Sequence, residues 1–299
     1  MASDGSCLGV CYADNHLFYS VNNPEQKSHL THIGSIDYNF SVQNAIVTGS
    51  EHGFPALKTS LEGLKETYQC SSVRILSPAV EECWTIVPRS VYEDSSEREA
   101  HLQLLMQGIV REDIEATWHS VSNADYRLLL LRNNAAMQGL KNLLGAFTNS
   151  EYVAEFEIGA DWQHHSDEKG SYLVVHCQKN YISVSSFILG KLRGCTYIRF
   201  DNSGDLPYLW SLYGSKLSWM QGIHEKIYVC GHYADLIVET LAPYWDDSGE
   251  IMIKNSLQSM QVQAEEKTYG FKLESAFPAV MLSLNIEEKK KETHENYNG

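Results

Sequence analysis

A chain of 299 residues, 43% apolar and 20% charged, has material for two ordinary cores and the composition of a globular rather than a disordered protein. Its 23 basic against 38 acidic residues leave a formal charge of -15, which repels phosphate backbones and anionic lipid, so nucleic acid is not an expected partner. The opening MASDGSCLGV has no basic segment before an apolar run, and no stretch reaches about 18 uninterrupted apolar residues, so neither export nor membrane insertion is expected and the predicted location is the cytoplasm.

The segment CLGVCY, the turn Ala13-Asp14-Asn15 and HLFYSV predict a β-hairpin, because Asp and Asn tolerate turn conformations that strand residues reject. A third strand is expected over residues 28–37, after the polar linker NNPEQK. Phe54, Leu57, Leu61, Leu64 and Tyr68 recur at spacings of three and four, one apolar stripe of a helix over residues 51–68. SVRIL and ECWTIV then read as a strand pair, the second ended by Pro88, with a turn at Ser77-Pro78-Ala79 between them. Ser95 and Ser96 precede an acidic turn and cap a helix carrying Ala100, Leu104 and Leu105. EATWHSV and YRLLLLR are a further strand pair, and Asn133 opens a helix through Met137, Leu140 and Leu144 to Gly145. Thr148-Asn149-Ser150 is the expected boundary, dividing the chain into residues 1–148 and 149–299.

The second part begins with EYVAEFEI as a strand and passes through a polar loop around His164, His165, Asp167, Glu168 and Gly170. YLVVHC, the turn Gln178-Lys179-Asn180, YISVSSFIL, the turn Gly190-Lys191 and KLRGCTYIRF then repeat the three-strand opening. A helical segment over residues 203–220, the strand KIYVC, Gly231 and a helix carrying Leu236, Ile237, Thr240 and Leu241 follow. Residues 275–284 have helical character, and EEKKKETHENYNG is a charged tail expected to fray.

Seven cysteines (Cys7, Cys11, Cys70, Cys83, Cys177, Cys195 and Cys230) are an odd number without a CxxC pair, mostly inside apolar runs, and read as reduced core residues. His164, His165 and His176, with Asp161 and Asp167, are metal-ligand types close in sequence, but no HxxxH or HxH spacing joins them, so no metal site is expected. The patterns GxxxxGK followed by Ser or Thr, GxGxxG and GxSxG are all missing, which removes the familiar phosphate loops and the nucleophile elbow. Tyr208, Trp210, Tyr213 and Trp219 share a segment with Leu209, Leu212 and Leu217 and read as core rather than as a partner-binding face.

Two halves that each run strand, strand, strand, helix, strand, helix resemble the superfamily of actin, the heat-shock chaperones and the sugar kinases. LGVCYADNHLFYSV at the start and the pair SVRIL and ECWTIVP are most similar to the actin-like ATPases of type IV pilus assembly and their relatives in type II secretion. The resemblance implies an α/β fold of two similar ribonuclease-H-like lobes, each a mixed five-stranded sheet with flanking helices. It also implies what should line the cleft between them: an aspartate in the first hairpin, a glycine two residues on and a lysine on the second strand, set around metal and phosphate. Here those positions read Cys11, Ala13 and Phe18, and the aspartate and glycine of the second hairpin read His176 and Gln178. IYVCGHYADLIVETL matches the adenosine-contacting segment, keeping Gly231 and carrying His232 where a second glycine stands.

Magnesium wants hard oxygen ligands and an in-line water needs a positioned polar group, so Cys11 and Phe18 cannot substitute for carboxylate and ammonium. The expectation is a non-catalytic actin-like scaffold with no catalytic residue, metal or cofactor, whose partner is another protein, in an envelope-associated assembly. The alternative is a nucleotide-binding protein with slow ATPase or kinase activity, using Asp14, Gly231 and His232 to hold ATP and magnesium between the lobes. A third reading has the cleft closed and filled with side chains, with which the bulky Tyr12 and Phe18 are compatible.

Overall fold

The computed structural model describes residues 5–107, 114–121, 124–165, 170–221, 224–245, 250–253, 263–264 and 272–284. Three strands open the chain as an antiparallel meander, β1 (Ser6–Ala13), β2 (His16–Asn23) and β3 (Gln26–Asp37). The turn between β1 and β2 has Asp14 at φ 52°, a left-handed conformation that aspartate tolerates better than most residues. On the other side of β1 lies the parallel strand β4 (Cys70–Leu76), and beside it, again parallel, β8 (Asn149–Val153). β1 is central and buried on both faces, which is why its sequence is a near-continuous small and apolar run instead of an alternation.

Three helices cover one face of this sheet: α1 (Val42–Thr48), α2 (Gly53–Tyr68) and α5 (Asn134–Leu143). Their stripes, including Ile46, Leu57, Leu61, Met137 and Leu140, pack with Leu8, Val10 and Leu17 in one core. Between β4 and α5 the chain builds a separate antiparallel sheet in the order β5 (Glu82–Pro88), β7 (Tyr126–Asn133), β6 (Ile114–Ser120). Val87, Leu129 and Leu131 point to one of its faces, where Leu102 and Leu105 of α4 (Ser95–Gln107) and Val91 of α3 (Arg89–Glu93) pack against them.

The second half repeats the plan. β9 (Ser171–Cys177), β10 (Tyr181–Ile188) and β11 (Lys191–Arg199) form the meander, with β12 (Lys226–Cys230) parallel to β9 and β13 (Glu250–Ile253) parallel to β12. α7 (Leu206–Lys216) and α8 (Ala234–Leu241) cover its outer face around the fully buried Trp245. Each half therefore has the strand order three, two, one, four, five, counting β8 and β13 as fifth strands.

Two helices lie between the halves, α6 (Ile158–His165) and α9 (Leu273–Leu284). α9 is buried all round from Ser275 to Leu284, as an apolar helix inserted between two layers must be. It approaches β1 so closely that a Cβ on Gly9 would sit 2.0 Å from the carbonyl oxygen of Ala279, so no larger residue fits there. Arg74 on β4, 4% exposed, holds both helices: Nη1 donates to the Leu282 carbonyl at 3.1 Å and faces Asp161 of α6 at 3.5 Å, while Nε donates to Glu151 at 2.7 Å. Among the described residues no helix is long and apolar enough to cross a membrane.

Several expectations need correcting. The first sheet has six strands, because β14 (Gln263–Ala264), from late in the chain, pairs parallel with β3. SVRIL and ECWTIV are not paired with each other: β4 lies in the main sheet and β5 in the small one. Residues 151–158 are not one strand. Only β8 is extended, and it completes the first sheet, so the first half runs past residue 148 to Val153 before a single 3-10 turn (Glu155–Glu157) leads into α6. His164 and His165 end that helix instead of lying in a loop, while Asp167, Glu168 and the charged tail lie outside the described residues. Tyr208 is 69% exposed, so of the aromatic series only Trp210, Tyr213 and Trp219 join the core.

Candidate functional site at the junction of the two halves

The equivalent hairpin turns, β1–β2 and β9–β10, meet directly. Gln178, 4% exposed, donates from Nε2 to the backbone carbonyl of Tyr12 at 2.9 Å. Next to it Lys179 Nζ donates to Asp14 Oδ2 at 2.9 Å, an exposed pair that raises the lysine's proton affinity. The Tyr233 hydroxyl reaches the same oxygen of Asp14 at 3.5 Å. The first hairpin is itself braced from its own half: Asn15 donates to the Tyr38 carbonyl at 2.9 Å, and Val42 N–H donates to the Asp14 carbonyl at 2.8 Å.

Behind the turns the contact becomes aromatic. The His16 and His232 rings lie 4.9 Å apart, and Phe18 packs against both at 5.9 and 5.7 Å. His16 Nδ1 is 2.6 Å from Asp37 Oδ1, and His232 Nδ1 is 3.2 Å from Ser275 Oγ on α9. His232 is held below the ordinary imidazole range, first by burial and then by His16 and Lys272.

Deeper still, Glu155 in the connecting turn is 2% exposed and accepts from the Tyr181 hydroxyl at 2.6 Å, with His176 Nδ1 at 2.9 Å. A buried carboxylate needs such partners, since an unpaired one would cost several kcal/mol, on the order of 3 or more. Cys11, 1% exposed, donates its thiol to the Ser275 carbonyl at 3.6 Å, and burial pushes that thiol far above its ordinary range and keeps it protonated.

Gly231 joins the halves through main chain. It adopts φ 102°, a Cβ there would lie 2.7 Å from the Cys177 carbonyl oxygen, and its N–H donates to the Glu274 carbonyl at 2.9 Å. That carbonyl is available because Pro278 stands four residues on inside α9 and has no N–H to return to it.

The sequence-derived positions thus converge on one junction: Cys11, Ala13, Asp14, Phe18, His176, Gln178, Gly231 and His232 all lie on or beside it. Their side chains are engaged with one another. The former ammonium position is Phe18, 4% exposed within the core, Cys11 and Ala13 offer no hard oxygen, and the Asp14 carboxylate is taken by Lys179 and Tyr233. Among the described residues no group of three or more His, Cys, Asp or Glu side chains is arranged to hold a metal, and Asp161 faces Arg74 instead. Sequence reasoning missed Glu155, His16 and Tyr233; the opposite charges of Asp14 and Lys179 at equivalent turns were the one readable signal of contact.

No family model matches the chain, and no curated protein matches it. Solved structures do. The PilM-PilN type IV pilus biogenesis complex superimposes over 93% of this chain and 97% of that one, with a TM-score of 0.63 and 12% identity. The cytoplasmic domain of Epsl, an inner membrane component of the type II secretion system of Vibrio cholerae, matches over 93% and 95%, at 0.51 and 12%. A Bacteroides thetaiotaomicron protein with an actin-like ATPase fold and unknown function matches over 84% and 91%, at 0.50 and 12%. At such identity the likeness concerns architecture alone: the chain has the actin-like ATPase fold.

Proposed function

We propose that the protein is a non-catalytic actin-like scaffold that works in the cytoplasm and recruits another protein into an envelope-associated assembly, without nucleotide or magnesium. The observation that carries this reading is the direct bond between the two turns, Gln178 to the Tyr12 carbonyl with Lys179 on Asp14 beside it. In the superfamily those turns are set around metal and phosphate; here they satisfy each other. Opening them for a ligand would exchange the Gln178 bond for bonds to water or ligand, a loss of about 0.5–1.5 kcal/mol that binding must offset. Two of the structural neighbours support the assembly context, since one is a complex of two pilus biogenesis proteins and another is the cytoplasmic domain of a secretion-system component.

The test is calorimetric titration of the purified chain with ATP, with and without magnesium, followed by a phosphate-release assay on the same sample. Neither heat nor release is expected. Magnesium-dependent binding with turnover would refute the scaffold reading and make Asp14 the first residue to replace.

A further inference from the structure

We propose that the junction is proton-sensitive: His16 from the first half and His232 from the second lie ring against ring, and acidification, by charging the half-buried His232 at that contact, loosens the hold between the two hairpin turns. The inference rests on the closed junction described above. The ring centroids are 4.9 Å apart, and Phe18 confines both rings from one side. A charged imidazolium confined between His16 and Phe18 loses solvation that a neutral ring packed there does not need.

Asp37, 2.6 Å from His16 Nδ1, offsets any charge on that ring, so the balance turns on His232. Around the pair stand Asp14 in the first turn, Asp37 on β3, Lys179 in the second turn, Lys272 and Glu274 at the start of α9, and Tyr233 beside His232. Asp14 is committed to Lys179, and Lys272 is shared between Asp235 of α8 and Glu274. Burial, His16 and Lys272 lower the proton affinity of His232 more than Asp14 and Glu274 raise it. The sign follows. A histidine held below its unfolded value near 6.5 favours the closed form at higher pH, and the closed form loses stability as pH falls from about 6.5 through the lowered value.

Amide hydrogen exchange of the full chain at pH 7.5 and 5.8, both above the sequence pI of about 5.2, tests the inference, with rates corrected for intrinsic chemistry. Protection at residues 12–15 and 178–181 is expected to fall by up to about fivefold on acidification, the limit that linkage sets for a single histidine whose proton affinity burial lowers. His232→Asn should abolish that fall, His16→Phe should leave part of it because burial still lowers the proton affinity of His232, and high salt should reduce it in the wild type. An unchanged wild type, or a fall that persists in folded His232→Asn, overturns the proposal; if that variant does not fold, the salt response decides. Magnesium-ATP titration on the same sample keeps the two readings apart. Tight binding refutes the scaffold, whereas a junction that binds no nucleotide and ignores pH refutes only this inference.

Discussion

Strands β1 and β9 hold the same place in their sheets, each flanked by an antiparallel neighbour and a parallel one, yet they carry different side chains toward the junction. Aligning Cys11 with His176 sets Gly9 against Val174, Ala13 against Gln178 and Asp14 against Lys179. β1 is small where it faces the junction, because α9 lies on its backbone at Gly9. β9 is large and polar, because His176 reaches Glu155 and Gln178 reaches across to Tyr12. Symmetry of topology thus does not impose symmetry of chemistry: one half supplies a socket and an acid, the other a plug and a base.

That asymmetry can be broken most severely at Gly9. Gly9→Val drives a side chain into the α9 backbone and is expected to cost about 3 kcal/mol or more, seen as a lower denaturation midpoint. Val174→Ala on β9 should cost about 2 kcal/mol by loss of packing alone, so equal losses would refute the socket assignment. A middle-sized effect is expected from Gln178→Leu, which leaves the Tyr12 carbonyl buried without its donor, about 1–3 kcal/mol. A thermal melt unchanged by that replacement would mean that the cross-junction bond contributes nothing to holding the halves together. The smallest belongs to Lys179→Ala: its partner Asp14 is partly exposed, so the melting temperature should shift barely, and that shift should vanish at high salt.

How much of this was readable in advance depends on the range of the forces involved. Both meanders were legible because turn residues such as Asp14-Asn15 and Gly190-Lys191 act locally. Helix α5 was legible from its cap: the Asn133 side chain accepts from Ala135 N–H. α1 escaped notice although Ser41 caps its start and Gly49, at φ 61°, ends it, because seven residues carry too short an apolar stripe to stand out. The 3-10 turn Glu155–Glu157 was misread as strand because VAEFEI has strand-like alternation, which the buried Glu155 with its Tyr181 and His176 partners overrides. The exchanged positions of the cleft were legible as departures from a family pattern. That Gln178 reaches the Tyr12 carbonyl and His232 meets His16 is a matter of distance across the fold, and no local signal encodes it.

Pro278 has a consequence for how such a chain can change over time. The bond between Gly231 and the Glu274 carbonyl runs from main chain to main chain, and it exists because an imino acid withholds the hydrogen that helix α9 would otherwise use. Replacing the side chain of Glu274 leaves that joint intact, so a scan of side-chain truncations would pass over it. A hinge written in backbone lets the residues around it drift while the halves keep their seating.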